Sequence, residues 1–493
     1  MTSAAPVART GALTALVSAL LAGSLSTGPG ADRPVPPVSG SGRAGAAVLA
    51  GLDPAAPAPQ PASVAARLAG PLGDPVLAGP AAFVVDASTG HVLLDDRART
   101  PAVPASTLKT AVATAALVTF PDTRLRTSVL YSPPPNSQPP ATRPPGSRPP
   151  GSRPAGAAGQ APGGTLWLVG GGDPTLTAAP GTNGYPAFAR LADLVAQVRA
   201  AGITSVARVV GDGSLFVGPD RAPGWRDNYV TDGDVTPVSA LELDAGRSAP
   251  GAEGPRSPTP AAAATAAFAG ALTAAGIPVG AIGTGTAEAG ATRVASVDSP
   301  PVRVLVERML TESDNDLAES LGRLVALRRG LPPSFAGAAK AVTDTVTELG
   351  IPTAGMALND VSGLSTADLI APATLVALLR AAVLPTRPAL RTVLTGLPVA
   401  GFSGTLNDRY ATADTAPGAG DVRAKTGTLR NVSSLAGQLV DADGRLLLFA
   451  FLSPAEEGGG TKAALDRVAA ALAGCGCPAP APVARAAPTG PVR

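Results

Sequence analysis

Apolar positions along the chain fall into three patterns. Short apolar runs broken by turn residues predict β-hairpins: FVVDASTGHVLLDD over 83–96, turning at Ser88-Thr89-Gly90, and SSLAGQLVDADGRLLLFAFLS over 433–453, turning at Asp443-Gly444. A segment that is apolar all round, Ala111 to Val118 behind PASTLKT, predicts a helix buried on every side. Alanine-rich stretches (AFARLADLVAQVRAAG and PAAAATAAFAGALTAAG) alternate with strand-like runs such as ARVVGD between about 166 and 297, which predicts an α/β region. Beyond 299 come two helical patterns, VRVLVERML and LAESLGRLVALRRG, separated by the polar TESDND, then further helices, a strand DVRAKTGTL and a last helix to Gly474.

A hairpin near one end of the chain and strands near the other, with helices between, predict one split domain. Its two pieces, 61–125 and 299–475, pair into a single antiparallel sheet packed on helices, and 126–298 is an inserted α/β region. Within the insert, 132–163 is low in complexity, with Pro-Pro-Gly-Ser-Arg at 144 and again at 149, and reads as an exposed irregular loop. Residues 31–60 are rich in Pro, Ala and Gly and read as a linker; 476–493 reads as a disordered tail. At the start, residues 1–30 hold one arginine, an uncharged apolar stretch from Gly11 to Leu25, then small residues. That is the form of an export signal, and it is shorter than the ~20 residues a membrane span needs. The protein is therefore expected outside the cytoplasm, with membrane association only if this segment stays uncleaved.

Composition narrows the chemistry. A net charge of +2 with no basic run argues against nucleic acid. Aromatics make up only 3%, so small aliphatic side chains must fill the core. The two cysteines, Cys475 and Cys477, and the single histidine, His91, cannot build a Cys/His zinc site, and no metal or organic cofactor is implied. A Cys nucleophile would sit in a Pro-flanked tail, and a Ser-His-Asp triad would need His91, a strand residue just past a turn glycine. Serine with a lysine base is the nucleophilic option that remains. Lysine itself is scarce: only Lys109, Lys340, Lys425 and Lys462 stand among 38 basic residues. An ammonium can lose its proton when buried and a guanidinium cannot, so each lysine kept by an arginine-biased chain is a candidate for chemistry.

Three short motifs contain the candidates. Ser106 and Lys109 stand three apart in a helical pattern and so share a face, with Ser106 near the helix N-terminus. Burial and a second cation are expected to lower the Lys109 pKa until its amine can take the serine proton. Ser313-Asp314-Asn315 lies in the polar gap between two helices. Ser313 either caps the second helix or relays a proton, with Asn315 donating a hydrogen bond to substrate or to Lys109. Lys425-Thr426-Gly427-Thr428 opens a strand; Gly427 is expected to leave room for a substrate, Thr426 and Thr428 share one side, and Lys425 supplies charge for a carboxylate.

The set S-x-x-K, S-x-N, K-T-G, once each and in that order, resembles the penicillin-recognising serine acyltransferases, the penicillin-binding proteins and serine β-lactamases. The long gap from Ser106 to Ser313 matches the subgroup with inserted domains. LVGGGDPTL, VVGDGSLF, PVSALELDAG, NDVSGLS, IAPATLVALL and LPVAGFSGTL look like the low-molecular-mass class C penicillin-binding proteins, the D-alanyl-D-alanine carboxypeptidase/endopeptidase family, from about residue 66 to Gly474. The resemblance implies a transpeptidase-like (β-lactamase-like) fold and an acyl-enzyme on Ser106. It also implies an oxyanion hole from the N–H groups of Ser106 and Thr428, and Thr426, Thr428 and Lys425 around the substrate carboxylate. Peptidoglycan stem peptides would be substrates and β-lactams covalent inhibitors. Two alternatives stay open: a serine β-lactamase and a non-catalytic wall-binding protein.

Overall fold

The structure is a computed structural model and describes residues 56–134, 163–181, 185–454 and 459–476. The expected signal over 1–30, nearly all of the linker, most of the low-complexity loop and the tail from 477 lie outside the described residues. Cys475 is disulfide-bonded, and Cys477 lies outside them.

Helix α1 (Pro61–Leu72) leads into the hairpin β1 (Ala81–Asp86) and β2 (Val92–Asp96), followed by α2 (Lys109–Thr119). A second group follows: β3 (Arg124–Ser132), β4 (Thr165–Val169), α3 (Leu191–Ala200), β5 (Val206–Asp212), α4 (Pro260–Ala274), β6 (Val279–Thr284) and β7 (Thr292–Pro301). The chain then forms α5 (Val302–Thr311), α6 (Asn315–Arg328), α7 (Phe335–Glu348), α8 (Pro372–Val383) and α9 (Arg391–Thr395). It ends in β8 (Arg423–Leu429), β9 (Val432–Val440), β10 (Leu446–Pro454) and α10 (Thr461–Ala473).

Two five-stranded sheets result. The first has the order β2-β1-β10-β9-β8, every neighbouring pair antiparallel, so the first hairpin and the last three strands join across β1 and β10. β10 explains why this sheet is the centre of the molecule. Its run LLLFAFLSP is apolar on both faces, and alternation sends the side chains to two different cores. Leu448, Ala450 and Leu452 join the core built around α2, α5, α6, α7 and α8, whereas Leu447, Phe449 and Phe451 face α1 and α10. The second sheet has the order β6-β5-β4-β3-β7 and is mixed: β3 is antiparallel to β4 and β7, and β5 is parallel to β4 and β6. It packs on α3 and α4 through a separate core that includes Leu194, Val198, Phe268 and Leu272. This sheet begins at Arg124 and ends at Pro301, just outside the expected 126–298.

Candidate active site

The segment predicted as one helix from Pro104 is in fact a 3₁₀ turn, Ala105–Leu108, that runs into α2. Ala105 takes a left-handed φ of 47°, which breaks the regular helix before it starts. Residues three apart eclipse one another in a 3₁₀ turn, and Lys109 Nζ lies 2.9 Å from Ser106 Oγ. The turn is anchored from both sides. Thr107 and Ser434 both donate their hydroxyls to the Pro104 carbonyl, at 2.7 and 2.6 Å. Gly363, at φ +82°, lets the Ala105 carbonyl approach where a Cβ would stand 2.0 Å from it. From Pro104 through Leu117 every residue is buried except Ser106, which opens to the surface.

Lys109 is fully buried, and its neighbours define its protonation state. Besides Ser106, Nζ contacts Asn315 Oδ1 and the Ser362 carbonyl, both at 2.6 Å. Those two oxygens can only accept. A neutral amine has two N–H bonds to give them, which leaves its lone pair for the Ser106 hydroxyl. Burial lowers the Lys109 pKa to about 8, against the opposing pull of Asp360, Asp314, Glu319 and Asp316. The expected second cation is Lys425, also fully buried; burial pushes it well below its ordinary value and repulsion from Lys109 pushes it further. The expected cation effect on Lys109 thus falls on Lys425 instead: burial lowers Lys109 against the carboxylates clustered around it, and none of these forms an ion pair with Lys425 among the described residues.

Ser313 does not cap α6. Asp314 does, its carboxylate accepting from Leu317 N at 3.0 Å, and Ser313 is left at a left-handed φ of 58° on the cleft wall. Asn315 also departs from expectation: the Asp234 carbonyl can only accept, so the Asn315 Nδ2 donates to it at 2.8 Å and its Oδ1 is turned to accept from Lys109. Asn315 thus ties the lysine to the loop that precedes α4.

The K-T-G segment lies inside β8, the edge strand, with one side paired to β9 and the other bridged at its start, where Ala424 N donates to the Pro398 carbonyl at 3.0 Å. Gly427 makes room for the protein rather than for substrate. A Cβ there would stand 2.0 Å from Ser434 Oγ and 2.7 Å from the Pro104 carbonyl, so glycine lets β8 close onto the Ser106 turn. Thr426, whose hydroxyl lies 2.8 Å from that of Thr405, and the exposed Thr428 line the cleft. Lys425 lies beneath them, its Nζ donating to the Thr426 carbonyl at 3.0 Å.

Ser106, Ser313, Asn315, Thr426 and Thr428 all open on one cleft of about 860 Å³. Three of the four lysines gather at this cleft: Lys109 and Lys425 are buried beneath it and the exposed Lys462 lines it, whereas Lys340 lies on the surface elsewhere, paired with Asp344 at 2.9 Å. His91 is exposed beside the first hairpin turn, outside the cleft.

Sequence reading missed the second layer. Glu319, fully buried, accepts from Val361 N at 3.0 Å and Ser362 N at 2.8 Å, and so aims the Ser362 carbonyl at Lys109. Arg323 neutralises it at 2.9 Å and stacks over Phe335 at 4.0 Å. In the sequence this i,i+4 pair looks like a surface ion pair. Asp360 accepts from Gly363 N, Ser365 N and Trp225 Nε1, at 2.7 to 2.8 Å. Asp368 lies beside it, and burial followed by the Asp360 charge raises its pKa to about 10. The only sequence signal was the phrase NDVSGLS, with no residue in it singled out.

The D-Ala-D-Ala carboxypeptidase 3 (S13) family model matches residues 64–140, 155–257 and 248–472. A carboxypeptidase of Mycobacterium tuberculosis is 40% identical over 421 residues, covering 85% of each chain. Carboxypeptidase DacB of Mycolicibacterium smegmatis is 39% identical over 470 residues, covering 94% of this chain and 95% of its own. Among solved structures, penicillin binding protein 4 (dacB) of Haemophilus influenzae superposes with a TM-score of 0.65 at 22% identity, over 83% of this chain and 98% of that one. The same protein has been solved complexed with a β-lactam, and that structure superposes with a TM-score of 0.61. With the family model spanning both sheets and the cleft between its motifs, the chain belongs to the D-Ala-D-Ala carboxypeptidase 3 (S13) family.

Proposed function

We propose that Ser106 is the nucleophile of a serine D,D-peptidase and Lys109 its general base, acting on the D-Ala-D-Ala terminus of peptidoglycan stem peptides. The observation that carries this is the set of three contacts at Lys109 Nζ: two carbonyl-type acceptors and one hydroxyl that can donate. Ser106 Oγ attacks the peptide carbonyl as its proton passes to Lys109, and the N–H groups of Ser106 and Thr428 hold the oxyanion. Ser313 relays the proton to the leaving nitrogen, the C–N bond breaks and D-alanine departs, leaving an ester on Ser106. Water, giving a proton to Lys109, cleaves the ester and restores the hydroxyl. Thr426 and Thr428 bind the substrate carboxylate, and Lys425 contributes its field from beneath the strand.

The cleft extends past Thr426 to Thr405, Arg409 and Lys462, which supports a leaving group larger than one alanine and hence endopeptidase action on D-Ala-diaminopimelate cross-links. β-Lactams acylate the same serine, a reading supported by the β-lactam complex of the Haemophilus protein. We place the enzyme outside the cytoplasm, where this substrate is found, with 61–125 and 299–475 forming the catalytic domain and 126–298 the insert. The test is intact-protein mass spectrometry with benzylpenicillin on wild type, Ser106→Ala and Lys109→Arg, together with D-alanine release from a peptide ending in D-Ala-D-Ala. A single lasting adduct and D-alanine release on wild type alone support the assignment. An intact drug without adduct sinks it, and a consumed drug without adduct makes the protein a β-lactamase.

A further inference from the structure

A second cavity, about 740 Å³, lies behind the S-x-N turn and shares no lining residue with the first. Adjacent residues face opposite ways: Asp234, Ser313 and Asn315 line the catalytic cleft, and Asp232, Gly233 and Asp314 line the second cavity. Three guanidinium groups converge there, those of Arg247, Arg256 and Arg308. Arg256 is buried and satisfied, donating to the Gly233 and Ala245 carbonyls and pairing with Asp316 at 3.3 Å. The other two are not. Arg247 is half-buried and donates only to the Asp244 backbone carbonyl, at 3.3 Å, with no carboxylate partner among the described residues. Arg308 stacks over Phe188 at 5.0 Å; its buried Nε has no hydrogen-bond partner and stands 3.8 Å from Asp314 Oδ2.

Of the acidic residues in the lining only Asp314 faces this charge, its Oδ2 pairing with Arg308 at 3.8 Å. Asp244 accepts from the Thr177 hydroxyl at 2.5 Å and from Ala178 N at 3.1 Å, Asp314 caps α6, Asp232 accepts from Asn228, and Glu253 is exposed. Burial, followed by the charge of Arg256, disfavours the Arg247 cation, against the pull of Asp314 and Asp316. Two underused guanidinium forks in a confined cavity match a carboxylate, which each can grip with two N–H bonds. The volume fits an organic ligand better than a lone inorganic anion, and Tyr185, Pro186 and Phe188 give it an apolar wall.

We infer that this cavity is a second binding site, for a carboxylate-bearing peptide, with Arg247 and Arg308 as its anion clamp. The choice of peptide rests on the reading of stem peptides as substrate. The ligand would lie against the back of the turn that presents Ser313 and Asn315.

The experiment uses the full chain with Ser106 acylated by benzylpenicillin, so that the catalytic cleft is closed. L-Ala-γ-D-Glu-meso-diaminopimelate is titrated by calorimetry into wild type, Arg247→Ala and Arg308→Gln, with the tripeptide amidated at its carboxylates as control. Saturable binding to the acylated wild type, weakened about tenfold or more in the variants and abolished by amidation, is expected for lost charge-assisted hydrogen bonds. No saturable binding to fully acylated protein, or binding unchanged in the variants, overturns the site. Acylation of each variant reports its folding, and either variant alone decides the outcome. A failed reading of Ser106 shows itself separately, as no adduct at the start.

Discussion

If Lys109 is the base, acylation should follow the population of its neutral form. With a pKa of about 8, about one molecule in ten carries a neutral Lys109 at pH 7. An unperturbed lysine at about 10.4 would give fewer than one in two thousand. The difference, a few hundredfold in competent enzyme, corresponds to about 3 kcal/mol at about 1.4 kcal/mol per pH unit. The sign follows from the role: the amine is active when deprotonated, so the second-order acylation rate with benzylpenicillin rises about tenfold per pH unit below 8 and levels off above it. Stopped-flow acylation between pH 6 and 9.5 measures this. One variant moves the inflection in a predicted direction: Glu319→Gln removes an attracting charge and shifts it downward. A flat profile, an inflection near 10, or an upward shift in Glu319→Gln would refute the base assignment.

Gly427→Ala pushes a methyl group into Ser434 and the Pro104 carbonyl. It should cost about 1–3 kcal/mol in urea denaturation and slow acylation by up to about a hundredfold as the strand moves off the serine; adding Ser434→Ala should recover part of both, and unchanged values would remove the close-packing account. Asn315→Asp places a carboxylate 2.6 Å from Lys109 Nζ, so the acylation inflection should rise by about one to three pH units, readable in the same stopped-flow series. Asp368 keeps its proton in the fold up to about 10, and the unfolded chain releases it near 4. Its contribution to stability is therefore full at acid pH and lost as pH rises; Asp368→Asn should flatten urea stability between pH 5 and 9 while leaving β-lactam adduct formation intact.

How much was legible from the sequence depended on whether a residue's role could be expressed locally. The hairpins at Ser88-Thr89-Gly90 and Asp443-Gly444 and the buried helix behind Ser106 follow from period, turn chemistry and apolar count, and they are found where those predict. Motif order and the arginine bias singled out Ser106, Lys109 and Lys425 before any coordinates, because a lysine kept for its titration stands out in such a chain. The rest required contacts across long stretches of sequence. Asp314 rather than Ser313 caps α6, and Asn315 accepts from Lys109 rather than donating to it, because the Asp234 carbonyl takes its Nδ2. Gly427 is glycine because Pro104 and Ser434 converge on it from two other segments. Glu319 looks like half of a surface ion pair until Val361 and Ser362 bring their N–H groups to its carboxylate. The sequence by itself picked out candidate residues for the chemistry and most of the helices and strands, because composition and period are properties of neighbours. Tertiary structure alone decided which way each polar group points and which proton it holds, because hydrogen bonding and burial depend on groups the chain brings together only when it folds.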